Sequence, residues 1–235
     1  MLDDTIAAIA TPLGEGGLAV IRISGNKAVS VGDSVFTPAG KSKTQLAEAK
    51  SHTLHYGHIA RDGKRIDEVI VSVMKAPATF TCEDVVEISC HGGIRSTKAV
   101  LDAVLAAEAR LALPGEFTKR AFLHGRIDLA QAEAVADLIH ARTELALTAA
   151  NEQLAGKLSK RINHLRDELM QVLAHIEAHI DFPDEDIEPG TQNELTRRLE
   201  DVLQSIENLL ATANEGQLIR RGIRVSIIGR PNAGK

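Results

Sequence analysis

Hydrophobic and polar residues follow two different periods along the chain, and the change between them divides it. Up to about residue 112, short apolar runs rich in Val and Ile are separated by polar or glycine-rich segments, which is typical of strands mixed with short helices. After Pro114-Gly115 the apolar residues recur every three or four positions, which predicts helices. The pattern therefore predicts an α+β domain followed by an all-α segment.

The first part of the chain is predicted to contain five strands and two helices. Asp62-Gly63 lies between two of the strands, and this dipeptide accepts the positive φ angles of a tight hairpin turn. The strands are predicted over residues 5–10, 18–24, 52–60, 64–74 and 85–91, and the helices over 26–35 and 94–109.

Three helices are predicted in the second part. Asp128 is a suitable N-cap for a helix that reaches residue 141. A second, very long helix is expected over residues 143–181. Thr191 and Glu194 have the spacing of a capping box and begin a third helix, which Gly216 is expected to break.

The long helix carries a heptad seam, in which apolar residues alternate at intervals of four and three. Such a seam needs a partner helix along its length, either in a coiled coil or in the core of a bundle. The pattern lasts for only a few heptads, which favours the bundle. The residues of the seam are Leu158, Ile162, Leu165, Leu169, Val172 and Ile176.

The end of the chain carries a phosphate-binding pattern. A β-branched run over residues 224–228 leads into G-x-x-x-x-G-K at residues 229–235. In a phosphate loop the glycines turn backbone N–H groups toward the phosphates, and the lysine reaches the β- and γ-phosphates. The motif next requires Ser or Thr to hold Mg²⁺, so we expect a nucleoside triphosphatase domain that is truncated within this loop.

Composition restricts the class of protein. The 235 residues are 44% hydrophobic and 25% charged, with a net charge of −5, which indicates a soluble globular protein. No apolar run of about 18 residues and no signal-peptide pattern is found, so a cytoplasmic location is expected. The net negative charge argues against a chain coated with basic residues for nucleic acid, but it is compatible with a local basic patch.

Neither the cysteines nor a group of histidines has the spacing of a metal site. Cys82 and Cys90 read as reduced, partly buried thiols. His52, His55 and His58 lie three residues apart, so a strand places His55 on the opposite face from the other two.

Two charged residues interrupt strands of the first domain. Alternation places Arg22 on the face opposite Ile21 and Ile23, and it places Glu87 opposite Val86 and Ile88. One interpretation is a solvated sheet face on which Arg22 and Glu87 are solvated or paired with each other. The other is a binding site on that face.

Basic residues are also grouped where the strand-rich part of the chain meets the helical part. They can bind an anionic ligand, or they can form ordinary salt bridges with Glu116 and Asp128, and periodicity does not decide between these alternatives. The basic residues are Lys119, Arg120 and Arg126.

Several longer motifs resemble the bacterial and mitochondrial family of tRNA modification GTPases called MnmE or TrmE. The most specific are PGEFT at residues 114–118 and DLAQAEA at residues 128–134. The match is collinear over nearly the whole chain. It also includes residues 5–8, 16–17, 22–25, 83–85, 91–93, 120–123, 137–139, 178–185 and 229–235.

The resemblance implies three parts. Residues 1–117 would form a folate-binding domain with an aminomethyltransferase-like α+β fold that also makes a homodimer. Residues 118–215 would form the first half of an all-α helical domain. Residues 216–235 would begin an α/β GTPase domain, with its first strand and a partial phosphate loop.

The resemblance also implies the site residues. Arg22, Glu87 and Arg126 fall at positions that contact 5-formyl- or 5,10-methylene-tetrahydrofolate; position 126 is often Lys in the family and is Arg here, which keeps the charge but changes the donor geometry. Asn232 matches the asparagine that helps to hold K⁺, and no catalytic residue is expected within these 235 residues. The nucleotide-binding positions are Gly229, Asn232, Ala233, Gly234 and Lys235.

The function implied is an enzyme that acts with the flavin-dependent partner MnmG. It would add a (carboxymethyl)aminomethyl group at C5 of the wobble uridine of certain tRNAs, using a folate one-carbon unit and the hydrolysis of GTP with Mg²⁺ and K⁺. The 235 residues alone would be a folate-binding dimerisation module without GTPase activity. A one-carbon transferase that acts without GTP is a further alternative, which the phosphate loop disfavours.

Overall fold

The chain folds into two compact units, residues 1–127 and residues 128–235. The computed structural model describes residues 4–40, 45–181, 190–221, 225–226, 228–229 and 234. The first unit is a sheet with helices and the second is helical, which confirms the predicted α+β domain followed by an all-α segment. The division lies ten residues beyond the expected boundary at 117/118, because the helix around Arg120 belongs to the first unit.

A seven-stranded sheet forms the first unit. Its spatial order is β3-β4-β5-β6-β2-β1-β7, and every pair is antiparallel except β1 with β7. The strands are β1 (Ile6–Ile9), β2 (Leu18–Ser24), β3 (Phe36–Pro38), β4 (Thr53–Arg61), β5 (Lys64–Met74), β6 (Val85–His91) and β7 (Arg110–Leu111).

Two helices, α1 (Ala28–Val35) and α2 (Ile94–Ala106), cover one face of this sheet. Ile21 and Ile88 point toward them and are fully buried. The opposite face is open: Leu54, Tyr56 and Ile70 lie on it and are exposed. Alternation along each strand therefore separates a dry core from a face that is available for contacts. Other fully buried residues of the core are Ala7, Ile23, Ile59, Val71, Val73 and Val86.

Several elements of the first unit differ from the sequence prediction, and β3 (Phe36–Pro38) was not predicted. The helix expected over 94–109 ends at Ala106, because Glu108 has a φ of 72° that a helix does not accept. The chain then enters β7, which was not predicted because a strand of two residues has no periodic pattern. A short helix, α3 (Glu116–Leu123), follows it.

The described residues of the second unit form four helices: α4 (Leu129–His140), α5 (Glu144–Leu154), α6 (Lys157–Asp181) and α7 (Gly190–Arg221). The predicted N-cap is confirmed. The side chain of Asp128 accepts a hydrogen bond from Gln131 N at 2.8 Å, and Gln131 Oε1 accepts one from Asp128 N at 3.0 Å. This reciprocal capping box satisfies two N–H groups at the start of α4.

The prediction of one continuous helix over 143–181 is wrong. Gly156 has a φ of 75°, a left-handed conformation that ends α5 and lets α6 begin in a new direction. A Cβ atom at this position would also lie 3.4 Å from Gln131 Nε2. The apolar period continues across Gly156, so periodicity did not reveal the break.

The prediction that Gly216 breaks the last helix is also wrong, since α7 continues to Arg221. A glycine inside a helix costs only about 1 kcal/mol relative to alanine, which the rest of a long helix can offset. Because α7 already includes Gly190, Thr191 is not at its N-cap position; the side chain of Thr191 lies outside the described residues.

Only part of the predicted heptad seam is buried. Leu165 and Val172 are buried where α6 packs beside α5 and α7, whereas Leu158, Ile162 and Ile176 are more than 40% exposed. Leu165 and Val172 are therefore packed as the bundle interpretation predicts, whereas the other apolar side chains of the seam form an exposed stripe along α6.

The strand expected over residues 224–228 is absent at the residues of that segment that the structure describes, 225, 226 and 228. A strand needs a neighbour to complete its hydrogen bonds, and the elements described within residues 128–221 are all helices.

Among the described residues, no helix is both long enough and apolar enough to cross a lipid bilayer.

Candidate functional site

Arg22 and Glu87 lie directly opposite each other on β2 and β6, on the open face of the sheet. Arg22 Nε donates a hydrogen bond of 2.7 Å to Glu87 Oε1, and Arg22 Nη2 lies 2.7 Å from the same oxygen. The two side chains are 33% and 26% exposed, so a ligand can reach them. Pairing of the two residues, one of the alternatives considered from the sequence, is therefore what the structure has.

The pair leaves hydrogen-bonding capacity unused. Both contacts from Arg22 go to Oε1 of Glu87, and Oε2 of Glu87 accepts no hydrogen bond from the described residues. A carboxylate oxygen accepts more than one hydrogen bond. The arrangement can therefore hold a ligand that presents N–H donors while Arg22 keeps the carboxylate oriented.

Two aromatic rings support the two candidate arginines. The guanidinium carbon of Arg22 lies 5.7 Å from the centroid of Phe117 in α3, and that of Arg126 lies 5.1 Å from the centroid of Phe80. Arg126 Nη1 also donates to the backbone oxygen of Phe80 at 3.2 Å. Contact with a ring restricts the orientation of a guanidinium and leaves other N–H groups for an anion.

Arg120 is held in a different way, and its side chain is only 2% exposed. Its Nη1 donates to Glu83 Oε1 at 2.9 Å and to the backbone oxygen of Asp4 at 2.8 Å, while its Nη2 donates to Asp4 Oδ1 at 2.6 Å. Glu116 lies 3.5 Å from Nη2. The salt-bridge alternative is thus confirmed for Arg120, and this residue is a structural anchor rather than a ligand-binding group.

Asp4, Glu83, Arg110, Glu116 and Arg120 form an ion cluster, in which Arg110 lies at the surface. Arg110 donates to Asp4 at 2.7 Å and to Glu116 at 2.6 and 3.1 Å. The hydrogen bonds from Arg110 lower the pKa of Glu116 to about 2, and a bond from the backbone of Leu113 adds to this effect. They also hold the pKa of Asp4 below its ordinary value. Asp4 and Glu116 are therefore ionised throughout the physiological range.

The segment after β5 is fixed by several of these contacts. Glu83 accepts a hydrogen bond from Ser24 Oγ at 2.7 Å as well as that from Arg120, and His124 Nδ1 lies 2.6 Å from the backbone oxygen of Thr81. Ser24 is two residues from Arg22 on the same face of β2. The anchor at Arg120 thus connects α3 to the strand that carries Arg22.

Lys119 and Asp128, the remaining candidates of this region, lie in different environments. Lys119 is exposed on α3. Asp128, proposed as a salt-bridge partner, instead caps α4, and hydrogen bonds from Ser159 and from the backbone of Gln131 lower its pKa. The roles of Phe80 and Phe117 were not predicted. An isolated phenylalanine in a loop or short helix has no sequence pattern that identifies the arginine it contacts in the folded structure.

A hydrogen-bonded pair on the sheet, His91 with Asp67, was also not predicted. His91 Nδ1 lies 2.7 Å from Asp67 Oδ1, and the backbone N–H of His91 donates to Asp67 Oδ2 at 2.8 Å. Burial alone would raise the pKa of Asp67, but the hydrogen bonds from His91 and Glu68 outweigh it and lower that pKa. The described residues contain no group of three or more His, Cys, Asp or Glu side chains that could hold a metal ion.

Of the predicted nucleotide-binding residues, the structure describes Gly229 and Gly234. Gly234 has a φ of 73°, a conformation that glycine adopts readily and that phosphate loops use. Asn232, Ala233 and Lys235 lie outside the described residues, so the predicted phosphate loop stays a prediction.

Comparison with known proteins gives two family matches that meet at the division between the units. Residues 5–126 match the family described as the N-terminus of the GTP-binding protein TrmE. Residues 129–225 match the family described as the MnmE helical domain. The two units, 1–127 and 128–235, therefore correspond to two recognised domains.

Individual relatives match over the whole length. The tRNA modification GTPase MnmE of Geobacillus thermodenitrificans is 55% identical over 236 residues, which is 99% of this chain and 50% of the relative. The protein of the same name from Listeria innocua is 54% identical over 233 residues, again 99% of this chain and 50% of the relative. The chain thus spans about half the length of the curated relatives it matches.

Proposed function

The chain belongs to the MnmE (TrmE) family of tRNA modification GTPases, and from this premise we propose that the whole protein modifies the wobble uridine of certain tRNAs. The modification is a (carboxymethyl)aminomethyl group at C5, installed with the flavin-dependent partner MnmG in the cytoplasm. The names of the relatives, which are tRNA modification GTPases, support this proposal.

The first unit is proposed to bind 5-formyl- or 5,10-methylene-tetrahydrofolate. The observation that carries this proposal is the Arg22–Glu87 pair, which is reachable on the open sheet face and has one carboxylate oxygen that accepts no hydrogen bond from the described residues. A pterin presents an amino group and a ring N–H side by side, and a carboxylate accepts such a pair of donors. The folate, when bound, supplies the one-carbon unit of the modification.

The two arginines fit the rest of this ligand. The glutamate tail of folate carries carboxylates, which suit the planar donor fork of a guanidinium. Arg126 is held against Phe80 and uses Nη1 for the backbone oxygen of that residue, so its other N–H groups are available to the tail. Arg22 orients the carboxylate of Glu87 for the pterin.

GTP is proposed to bind at the phosphate loop. Gly229, Ala233, Gly234 and Lys235 would surround the phosphates, and Asn232 would help to hold K⁺, with Mg²⁺ on a ligand beyond this motif. A polypeptide of these 235 residues is proposed to bind folate without hydrolysing GTP.

The first unit is also proposed to form a homodimer. Leu54, Tyr56 and Ile70 lie on the open sheet face and are between 45% and 71% exposed. Exposed apolar side chains grouped on one face are typical of surfaces that bind another protein. A second copy of this unit is the partner that the family resemblance implies.

Calorimetric titration with 5-formyltetrahydrofolate tests the folate site. In Glu87→Gln one acceptor becomes a donor that faces another donor, and loss of a charge-assisted hydrogen bond of about 1.5–3 kcal/mol should weaken binding by roughly 10- to 150-fold. Glu68→Gln is the matched control, since Glu68 lies on β5 in an exposed pair with Arg65 and should bind folate like the parent. If Glu87→Gln binds like the parent while Arg22→Ala does not, another group orients the pterin.

A further inference from the structure

One face of α6 carries four basic side chains near its N-terminal end. Lys157, Lys160, Arg161 and His164 follow the spacing i, i+3, i+4, i+7, which places them on the same side of a helix. All four are exposed. We call this set the basic face of α6.

The basic face stands out from the rest of an acidic chain. Residues 153–166 include four Lys or Arg and no Asp or Glu, although the whole chain has a net charge of −5. Lys157 forms an ion pair with Glu152, whereas Lys160 and Arg161 have no acidic partner among the described residues. Two formal positive charges therefore stay unneutralised on this face.

Helix stability does not explain these charges. The N-terminal end of a helix carries the positive end of its dipole, so basic side chains in its first turn, here Lys157 and Lys160, are unfavourable for the helix itself. The same dipole adds to the positive potential that an approaching anion meets. Neutral or acidic residues would stabilise α6 better, which points to a role in binding.

The basic face lies apart from the apolar stripe of α6. With about 100° of rotation per residue, the centre of the basic face lies roughly 120° around the helix from Leu158, Ile162 and Ile176. These three apolar side chains are exposed, and such a stripe is typical of a surface that binds another protein segment. Segments that cover the apolar stripe therefore leave the basic face open to solvent.

We propose that the basic face of α6 binds the sugar–phosphate backbone of tRNA, an inference that rests on the proposed function in tRNA modification. The four side chains extend over about 10 Å of helix, enough to meet two or three successive phosphates. The face has no Phe, Tyr or Trp for base stacking, so its contacts position the RNA without reading its sequence.

The test uses the longer protein that contains this chain and a fluorescently labelled tRNA, titrated at several KCl concentrations. The Lys160→Ala/Arg161→Ala double variant should bind roughly 5- to 30-fold more weakly, as expected for two exposed ion pairs. The plot of log affinity against log salt should lose about 1.5–2 of its slope, close to one for each phosphate contact.

Arg166→Ala is the matched control. Arg166 lies on the same helix about half a turn away from the basic face and pairs with Asp167 at 2.8 Å, so the variant should retain the affinity and salt slope of the parent. Equal losses in the control and the double variant, parental binding by the double variant, or a parent protein that binds no tRNA would each overturn the inference. A failure of the folate proposal would appear separately, as absence of 5-formyltetrahydrofolate binding.

Discussion

Arginine side chains in the first unit are held in three different environments, and their expected roles differ accordingly. Arg120 is buried among carboxylates, Arg22 and Arg126 are partly exposed against aromatic rings, and Arg110 lies at the surface of the ion cluster. A buried guanidinium that is engaged by carboxylates fixes the fold, whereas a partly exposed one retains donors for a ligand.

This difference predicts unequal effects when an arginine of the cluster is removed. Arg120→Met leaves Glu83 and Asp4 without their buried partner and should lower the free energy of unfolding by about 3–5 kcal/mol. Arg110→Met removes contacts to Asp4 and Glu116 from a side chain that is 42% exposed, and should cost about 1 kcal/mol or less. Urea unfolding measures both, with the fluorescence of Tyr56 as the signal.

Tyr56 is the single tyrosine of a chain without tryptophan, and it lies in β4, so its fluorescence reports the first unit alone. Equal destabilisation by the two substitutions would contradict the assignment of Arg120 as the anchor. Folate titration of Arg110→Met provides the control for ligand binding, because Arg110 has no place in the proposed site.

At the scale of elements, strands with a strong alternating pattern were predicted to the residue. β5 and β6 have the expected bounds, Lys64–Met74 and Val85–His91, because each buries a row of apolar side chains on one face. These are Val69, Val71 and Val73 in β5, and Val86, Ile88 and Cys90 in β6. β7 has two residues and exists only because β1 supplies its hydrogen bonds, so no local signal could predict it.

The candidate site was predictable in part for the same reason. Alternation alone placed Arg22 and Glu87 on one sheet face, but the contact between them joins strands 65 residues apart, and pairing of that range depends on the register of the sheet. The rings of Phe80 and Phe117 reach the arginines only after α3 and the segment around Thr81 have docked. Tertiary packing, which periodicity does not encode, therefore determined the contacts of Arg22, Glu87 and Arg126.

Two glycines of the helical unit should respond in opposite ways to alanine. Gly156 has a φ of 75°, and an alanine there should destabilise the unit by about 1–2 kcal/mol, the cost of a side chain in a left-handed conformation. Gly216 lies inside α7 with nothing within 4 Å of an added Cβ, so Gly216→Ala should stabilise the helix by about 1 kcal/mol.

Thermal unfolding followed by circular dichroism at 222 nm distinguishes the two glycine variants. Gly156→Ala should lower the midpoint and Gly216→Ala should raise it. A lower midpoint for both would mean that α7 requires a glycine at position 216 for a reason other than backbone conformation.

At the scale of the whole molecule, the ion cluster should make the first unit sensitive to acid. The pKa of Glu116 is about 2 in the folded chain against an ordinary 4.5. Its contribution to stability is therefore complete above pH 4.5 and is lost as the pH falls toward 2. Urea unfolding followed by Tyr56 should show this loss, and Glu116→Gln should reduce the slope in that window.

Asp62→Asn is the control for the acid experiment, because Asp62 is 88% exposed in a loose contact with Arg61. This variant should follow the parent between pH 4.5 and 2. Parental pH dependence in Glu116→Gln would mean that other carboxylates, such as Asp4, account for the acid sensitivity.

The contact between Asp4 and Arg120 also sets an order for biosynthesis, since 116 positions separate the two residues. At about 5–20 residues per second, the ribosome needs about 6–23 s to progress from one to the other. During that interval β1 has neither β7 nor the guanidinium of Arg120, and the first unit cannot close. A pause in translation soon after Arg120 has left the exit tunnel would let this unit close before the long helices emerge, whereas a pause before Arg120 would only prolong the exposure of its apolar strands.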